Sequence, residues 1–149
     1  MRHKLIAVLS LFVVSLFLFS CNEEWIRSEL AELTATGIKL KNKDCAYFGS
    51  IPSSGGEITL TATGKRKEAG YLSSISAPEF FLGLQENRPT VFPTTVCDEA
   101  WGKVEVLSDD PHTTRLTFHP NKSGLKIDYI FVFGELFVGS NVYITQQAQ

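Results

Sequence analysis

From Thr34 to the carboxyl end, apolar and polar residues alternate with a period of two. Ile58, Leu60 and Ala62 alternate with Thr59, Thr61 and Thr63 after a Gly55-Gly56 turn. Val104 and Val106 alternate with Lys103 and Glu105, and Leu116 and Phe118 with Arg115, Thr117 and His119. Ile127, Tyr129, Phe131 and Phe133 share a face, Val142 and Ile144 another, and Ile38 and Leu40 alternate with Lys39 and Lys41. Such a period puts every second side chain on one face of a sheet. Short β-branched and aromatic runs split by Gly, Pro and Asn-rich turns predict an all-β domain, an Ig-like antiparallel β-sandwich. Edge strands are expected where Pro52 and Pro78 interrupt the pattern.

Two stretches break the rhythm. Pro78 through Ala100 is rich in aromatics and carries Pro89 and Pro93. Phe80 to Leu84 reads as strand and the remainder as a long loop, a feature more often functional than incidental. It is too apolar for disorder, so it folds onto the sandwich or presents apolar surface. Near the amino end, Ile26, Leu30 and Leu33 fall at helical spacing, which predicts a short helix over Glu24–Leu33 serving as a tether.

The chain begins with a basic segment (Arg2, Lys4), an apolar run from Leu5 to Phe19, and a small residue, Ser20. That is the layout of a secretory signal. The run is shorter than the roughly 18–20 residues of a spanning helix and lacks a basic flank beyond it. Leu18-Phe19-Ser20-Cys21 resembles a bacterial lipobox, which implies cleavage before Cys21 and diacylglycerol on its thiol. The expected division is a signal peptide over 1–20, an acylated tether over 21–33 and one domain over 34–149. Asn22-Glu23-Glu24 resembles the surface-export signal of Bacteroidetes lipoproteins, and reads equally as a solvated linker. The expected location is the outer membrane, lipid-anchored, at the cell surface or on the periplasmic face.

Without the signal the chain holds 12 Lys/Arg against 16 Asp/Glu and no basic stripe. Nucleic acid is therefore not an expected partner, and membrane attachment falls to the acylated Cys21. Cys45 and Cys97 then remain as an even pair in an oxidising compartment. A bridge between them would close a loop of about fifty residues, worth roughly 4 kcal/mol in the chain-entropy model. The alternative is two free thiols acting as small apolar side chains.

Catalytic constellations are weak. His112 and His119 read as histidines flanking a hairpin, and their spacing without a cysteine pair does not make a zinc site. Asp109-Asp110 lacks the oxygen ladder of a calcium loop, and Gly55-Gly56 precedes a strand rather than the helix of a phosphate loop. Asp98, Glu99 and Glu105 lie close in sequence, but nothing places two of these carboxyls across one bond. The expectation is a protein without catalytic residues, metal or cofactor.

A binding surface fits better. Sugars offer apolar CH faces and rings of hydroxyls, so a glycan site needs aromatic platforms beside Asp, Asn, Glu or Arg. Trp101 beside Asp98 and Glu99, with Asn87 and Arg88 in the same stretch and Tyr71 as a further ring, supplies that chemistry. Trp101 also reads as core, the usual place of a Trp in an Ig-like sandwich. The expected function is a module for glycan or glycoprotein. The alternative is a structural or adhesion subunit packing on another surface protein through the same loop, with a hydrolase as a residual.

Gly55-Gly56-Glu57-Ile58-Thr59-Leu60-Thr61-Ala62 resembles the second strand of BACON domains, the Ig-like modules of Bacteroidetes surface proteins. Asn121, Lys126-Ile127-Asp128-Tyr129-Ile130-Phe131-Val132 and the terminal Val142-Tyr143-Ile144-Thr145-Gln146-Gln147-Ala148 resemble that family's last two strands. The resemblance covers about half of the chain after Cys21. It departs from the family in the mid-domain tryptophans, for which Trp101 is the one candidate, and in the length of Gly64–Ala100. It implies an Ig-like sandwich on a surface lipoprotein, and carbohydrate or mucin binding more distantly, since a fold does not fix a function.

Overall fold

The period-two pattern closes into two facing sheets. The computed structural model describes residues 30–135 and 138–149. Its strands are β1 (Glu32–Thr36), β2 (Lys41–Lys43), β3 (Ala46–Ile51), β4 (Gly56–Thr63), β5 (Leu72–Ala77) and β6 (Phe80–Gly83). They continue as β7 (Thr94–Glu99), β8 (Gly102–Asp109), β9 (His112–Phe118), β10 (Ile127–Glu135) and β11 (Val138–Gln146). One sheet runs β1-β4-β9-β8-β7 and the other β2-β3-β11-β10-β5-β6. The signal segment, Cys21 and residues 24–29 of the expected helix lie outside the described residues.

The core is the set of inward positions that the alternation marks. Leu60, Val104 and Leu116 from the five-stranded sheet meet Ile75, Phe131, Val142 and Ile144 from the six-stranded one, all fully buried. Each such side chain contributes about 1.5–3 kcal/mol of transfer free energy. Several buried polar groups among them are paired. Tyr129 donates its hydroxyl to Gln146 Oε1 at 2.9 Å, and Gln146 Nε2 donates to the His119 carbonyl at 2.8 Å. Burial pushes the Tyr129 phenol above its ordinary pKa, which keeps it a donor. Asn121 Nδ2 donates to the carbonyls of Leu125 and Gln147, while its Oδ1 accepts from Ser123. Asn121 and Gln146 thus clip the β9–β10 connection to the end of the last strand, a structural role for residues of the closing motif.

The sandwich departs from the sequence expectation in five places. β3 pairs with β11 in parallel, so the six-stranded sheet is mixed rather than antiparallel. The domain starts earlier than Thr34, because Ala31 and Leu33 are buried and Glu32–Thr36 forms a strand against β4. There the ladder with β4 and a bond from the Leu33 amide to the Tyr47 hydroxyl override a weak helical period. Ile38 and Leu40 lie before β2, not in a strand, although both pack on the core. The stretch up to Ala100 that reads as loop in sequence ends in an edge strand, β7, bulged between Thr95 and Cys97. Pro78 turns the chain into the edge strand β6, whereas Pro52 follows β3, which has neighbours on both sides.

Cys45 and Cys97 are not bridged; both thiols are free. Cys45 occupies the turn between β2 and β3, at one edge of the sandwich, and Cys97 lies on β7 at the other. No bridge spans that separation. Burial pushes the Cys97 thiol up to about 11, so at neutral pH it is an uncharged apolar side chain.

Candidate ligand groove on the outer sheet face

The two outward faces of the sandwich differ in chemistry. On the five-stranded sheet the outward positions of β4 and β9 are Glu57, Thr59 and Thr61 opposite Thr113, Arg115 and Thr117. Arg115 lies 3.5 Å from Glu57 and 3.8 Å from Glu105, and Lys103 lies 2.8 Å from Glu105. That face is a threonine and ion-pair surface suited to water.

The outward face of the six-stranded sheet carries large apolar groups. Register places Phe81, Ser76, Ile130, Tyr143 and Phe48 side by side in one row across five strands. Phe48 and Tyr143 stack at 5.0 Å with planes 9° apart, the favoured offset arrangement of aromatic pairs. Phe48 is 42 % exposed and Phe81 73 %, and Phe81 has no aromatic partner among the described residues. Together they form a ridge.

Beside the ridge, the next register row is Gly83, Ser74, Val132 and Asn141, whose side chains are shorter. The difference in height makes a cleft of about 430 Å³, floored by this row and bordered by Phe81 and by Gln85, Glu86 and Asn87. Its volume falls in the range of about 300–1,000 Å³ typical of small-ligand sites. Ser74, Asn141, Gln85 and Asn87 are neutral hydrogen-bonding groups with no protein partner for their side chains among the described residues. Glu86 is the one charged side chain that lines the cleft. The arrangement can hold a ligand that combines an apolar face with several hydroxyls.

Of the residues singled out in sequence, Asn87 alone lines this cleft. Trp101 lies in the turn between β7 and β8 and faces inward. Its ring centroid is 5.2 Å from Tyr129, 6.0 Å from Phe80, 6.2 Å from Phe118 and 6.3 Å from Phe131. Its indole Nε1 is buried without a partner, so the ring is a core plug and not a platform. Asp98 and Glu99 are exposed at the end of the β7 edge. Tyr71 is buried, covered by the Arg88 guanidinium 3.3 Å above its ring and flanked by His112 at 5.9 Å. Tyr71 and His112 sit at the Asp109 end of β8, roughly 23 Å along the strand from Trp101. The six expected ligand residues therefore do not converge.

Both described histidines have protein partners. His112 reaches the Glu68 carbonyl at 3.0 Å and Asp109 at 3.1 Å, and His119 the Ala100 carbonyl at 3.2 Å. No group of three or more His, Cys, Asp or Glu side chains could hold a metal among the described residues.

No family model and no curated protein matches the chain by sequence. A solved structure does share the fold: the NMR structure of a protein from Bacteroides thetaiotaomicron, with a TM-score of 0.51 at 13 % identity, covering 80 % of this chain and 91 % of that one. The likeness extends to the β-sandwich.

Proposed function

We propose that this protein is a non-catalytic, lipid-anchored envelope protein of Bacteroidetes type that binds a neutral glycan in the groove beside Phe81. The anchor is Cys21, on the lipobox resemblance, and BACON-like surface modules are its nearest functional analogy. One observation carries the ligand reading: an exposed ring stands beside three unpartnered amides and a hydroxyl on one outer face, while the β4 and β9 rows of the other outer face are polar. Phe81 stacks on the CH face of a sugar ring, and Ser74, Asn87 and Asn141 hydrogen-bond its hydroxyls. A purely apolar docking face for a protein would not keep so many free neutral polar groups at its centre.

The test is a glycan and mucin array probed with the detergent-purified full chain beside Phe81→Ala. Phe81 is exposed, so its removal leaves folding within about 0.5 kcal/mol. Bound signal for the responding glycans falls about tenfold, the loss of one well-placed aromatic contact. Equal binding by both proteins contradicts the site. No binding to any glycan contradicts the ligand class and favours a surface-protein partner on the same ridge.

A further inference from the structure

Resting on that reading, we infer that the groove takes an internal stretch of a linear glycan, about three rings long, laid across the strands with both ends running free. Three observations fix length, direction and openness. The floor residues Gly83, Ser74, Val132 and Asn141 come from four adjacent strands, β6, β5, β10 and β11. They span three interstrand steps, about 14 Å. A pyranose ring is about as wide as one step, so each step seats one ring.

Phe81 and the Gln85–Asn87 segment flank the β6 end of the floor on either side of Gly83, so an elongated ligand passing between them lies along the register row and not along a strand. Neither end is closed. At one end Gly83 has no side chain and β6 is the last strand of its sheet. At the other, the row continues onto Ala46 of β3, which is too small to form a wall, and reaches the exposed Lys43 of the edge strand β2 only one step beyond it. A pocket for a chain terminus would need a stop at one end, and an open trough does not have one.

The test is titration calorimetry of the detergent-purified full chain with neutral malto-, cello-, xylo- and manno-oligosaccharides of one to six rings and their parent polymers. In the series that binds, affinity rises roughly tenfold per ring up to three rings and less than twofold beyond. The polymer binds as tightly as the trisaccharide.

Gly83→Val provides a second arm. A Cβ at Gly83 meets nothing closer than a Phe81 ring carbon at 4.0 Å, and Val suits a strand, so the fold and melting temperature are retained. The added side chain fills the end of the floor, and the plateau moves from three rings to two. A plateau at one ring, or a polymer that does not bind, overturns the internal mode and leaves the glycan reading intact. An unmoved plateau in folded Gly83→Val overturns the assigned path. No binding at any length in any series overturns the glycan reading itself.

Discussion

Replacing Trp101 by Ala lowers the unfolding free energy by about 3 kcal/mol, near the lower end for large aromatics because the ring is only partly buried. The ring touches Phe80, Phe118, Tyr129 and Phe131, and so joins β6, β9 and β10 across the sandwich end. Removing it leaves a cavity walled by these four rings, whose close-packed surroundings let them collapse into it only in part. A loss of this size moves the melting temperature down by about 10 °C or more in a domain of this length. Trp101→Phe costs much less, because the ring contacts are mostly kept and the buried indole N–H has no hydrogen bond to lose. Denaturant unfolding of the three proteins checks both values. A Trp101→Ala protein as stable as the parent would contradict the core role. Loss of ligand binding in that variant says nothing of a site at Trp101 unless folding is shown to survive.

Gly55→Ala has a comparable effect through the backbone. Gly55 closes the turn before β4, its amide donating to the Pro52 carbonyl at 3.1 Å. Its φ is +79°, and a Cβ there would lie 2.1 Å from the Phe118 carbonyl oxygen and 2.9 Å from the His119 carbonyl carbon. A left-handed conformation costs a non-glycine residue about 1–2 kcal/mol, and the collision adds displacement of the β9 end. The expected total is about 3 kcal/mol or more. Gly124 is the internal control: its φ is +74°, but no atom lies within 4 Å of the added Cβ. Gly124→Ala therefore costs only the conformational part, about 1–2 kcal/mol. Chemical denaturation of both variants separates strain from contact, and equal losses would contradict the steric argument.

Sandwich and core were legible because Ile58-Leu60-Ala62 and Leu116-Phe118 alternate cleanly, and the ladder has only to honour that pattern. The parallel pairing of β3 with β11 was not legible, since alternation marks a face and not a neighbour. β1 was hidden by a helical spacing too short to stand against tertiary pairing. β7 was hidden because Thr94–Glu99 is an edge strand whose side chains are mostly solvated, so its pattern is faint.

The groove had a signal in the sequence that periodicity alone passes over. Between the inward Tyr129, Phe131 and Phe133 stand Ile130 and Val132, and between Val142 and Ile144 stands Tyr143. Outward positions that should be polar are apolar, which marks a face with something to cover. Phe81 beside Phe80 is the same signal. Which of the two turns inward depends on the β5–β6 register, in which Phe81 pairs with the outward Ser76. Trp101 has the sequence neighbours of a sugar platform, Asp98 and Glu99, but the β7–β8 turn packs its ring against the core.

The central claim is that ligand enters the trough beside Phe81 on the six-stranded sheet. Amide chemical-shift mapping of the labelled chain, titrated with the oligosaccharide that binds it, tests this most directly. The account predicts shifts that concentrate on Ser74, Phe81, Gly83, Asn87 and Asn141 and leave Asp98, Glu99 and Trp101 in place. Shifts confined to the Asp98–Trp101 turn, or to the threonine face of β4 and β9, would contradict it.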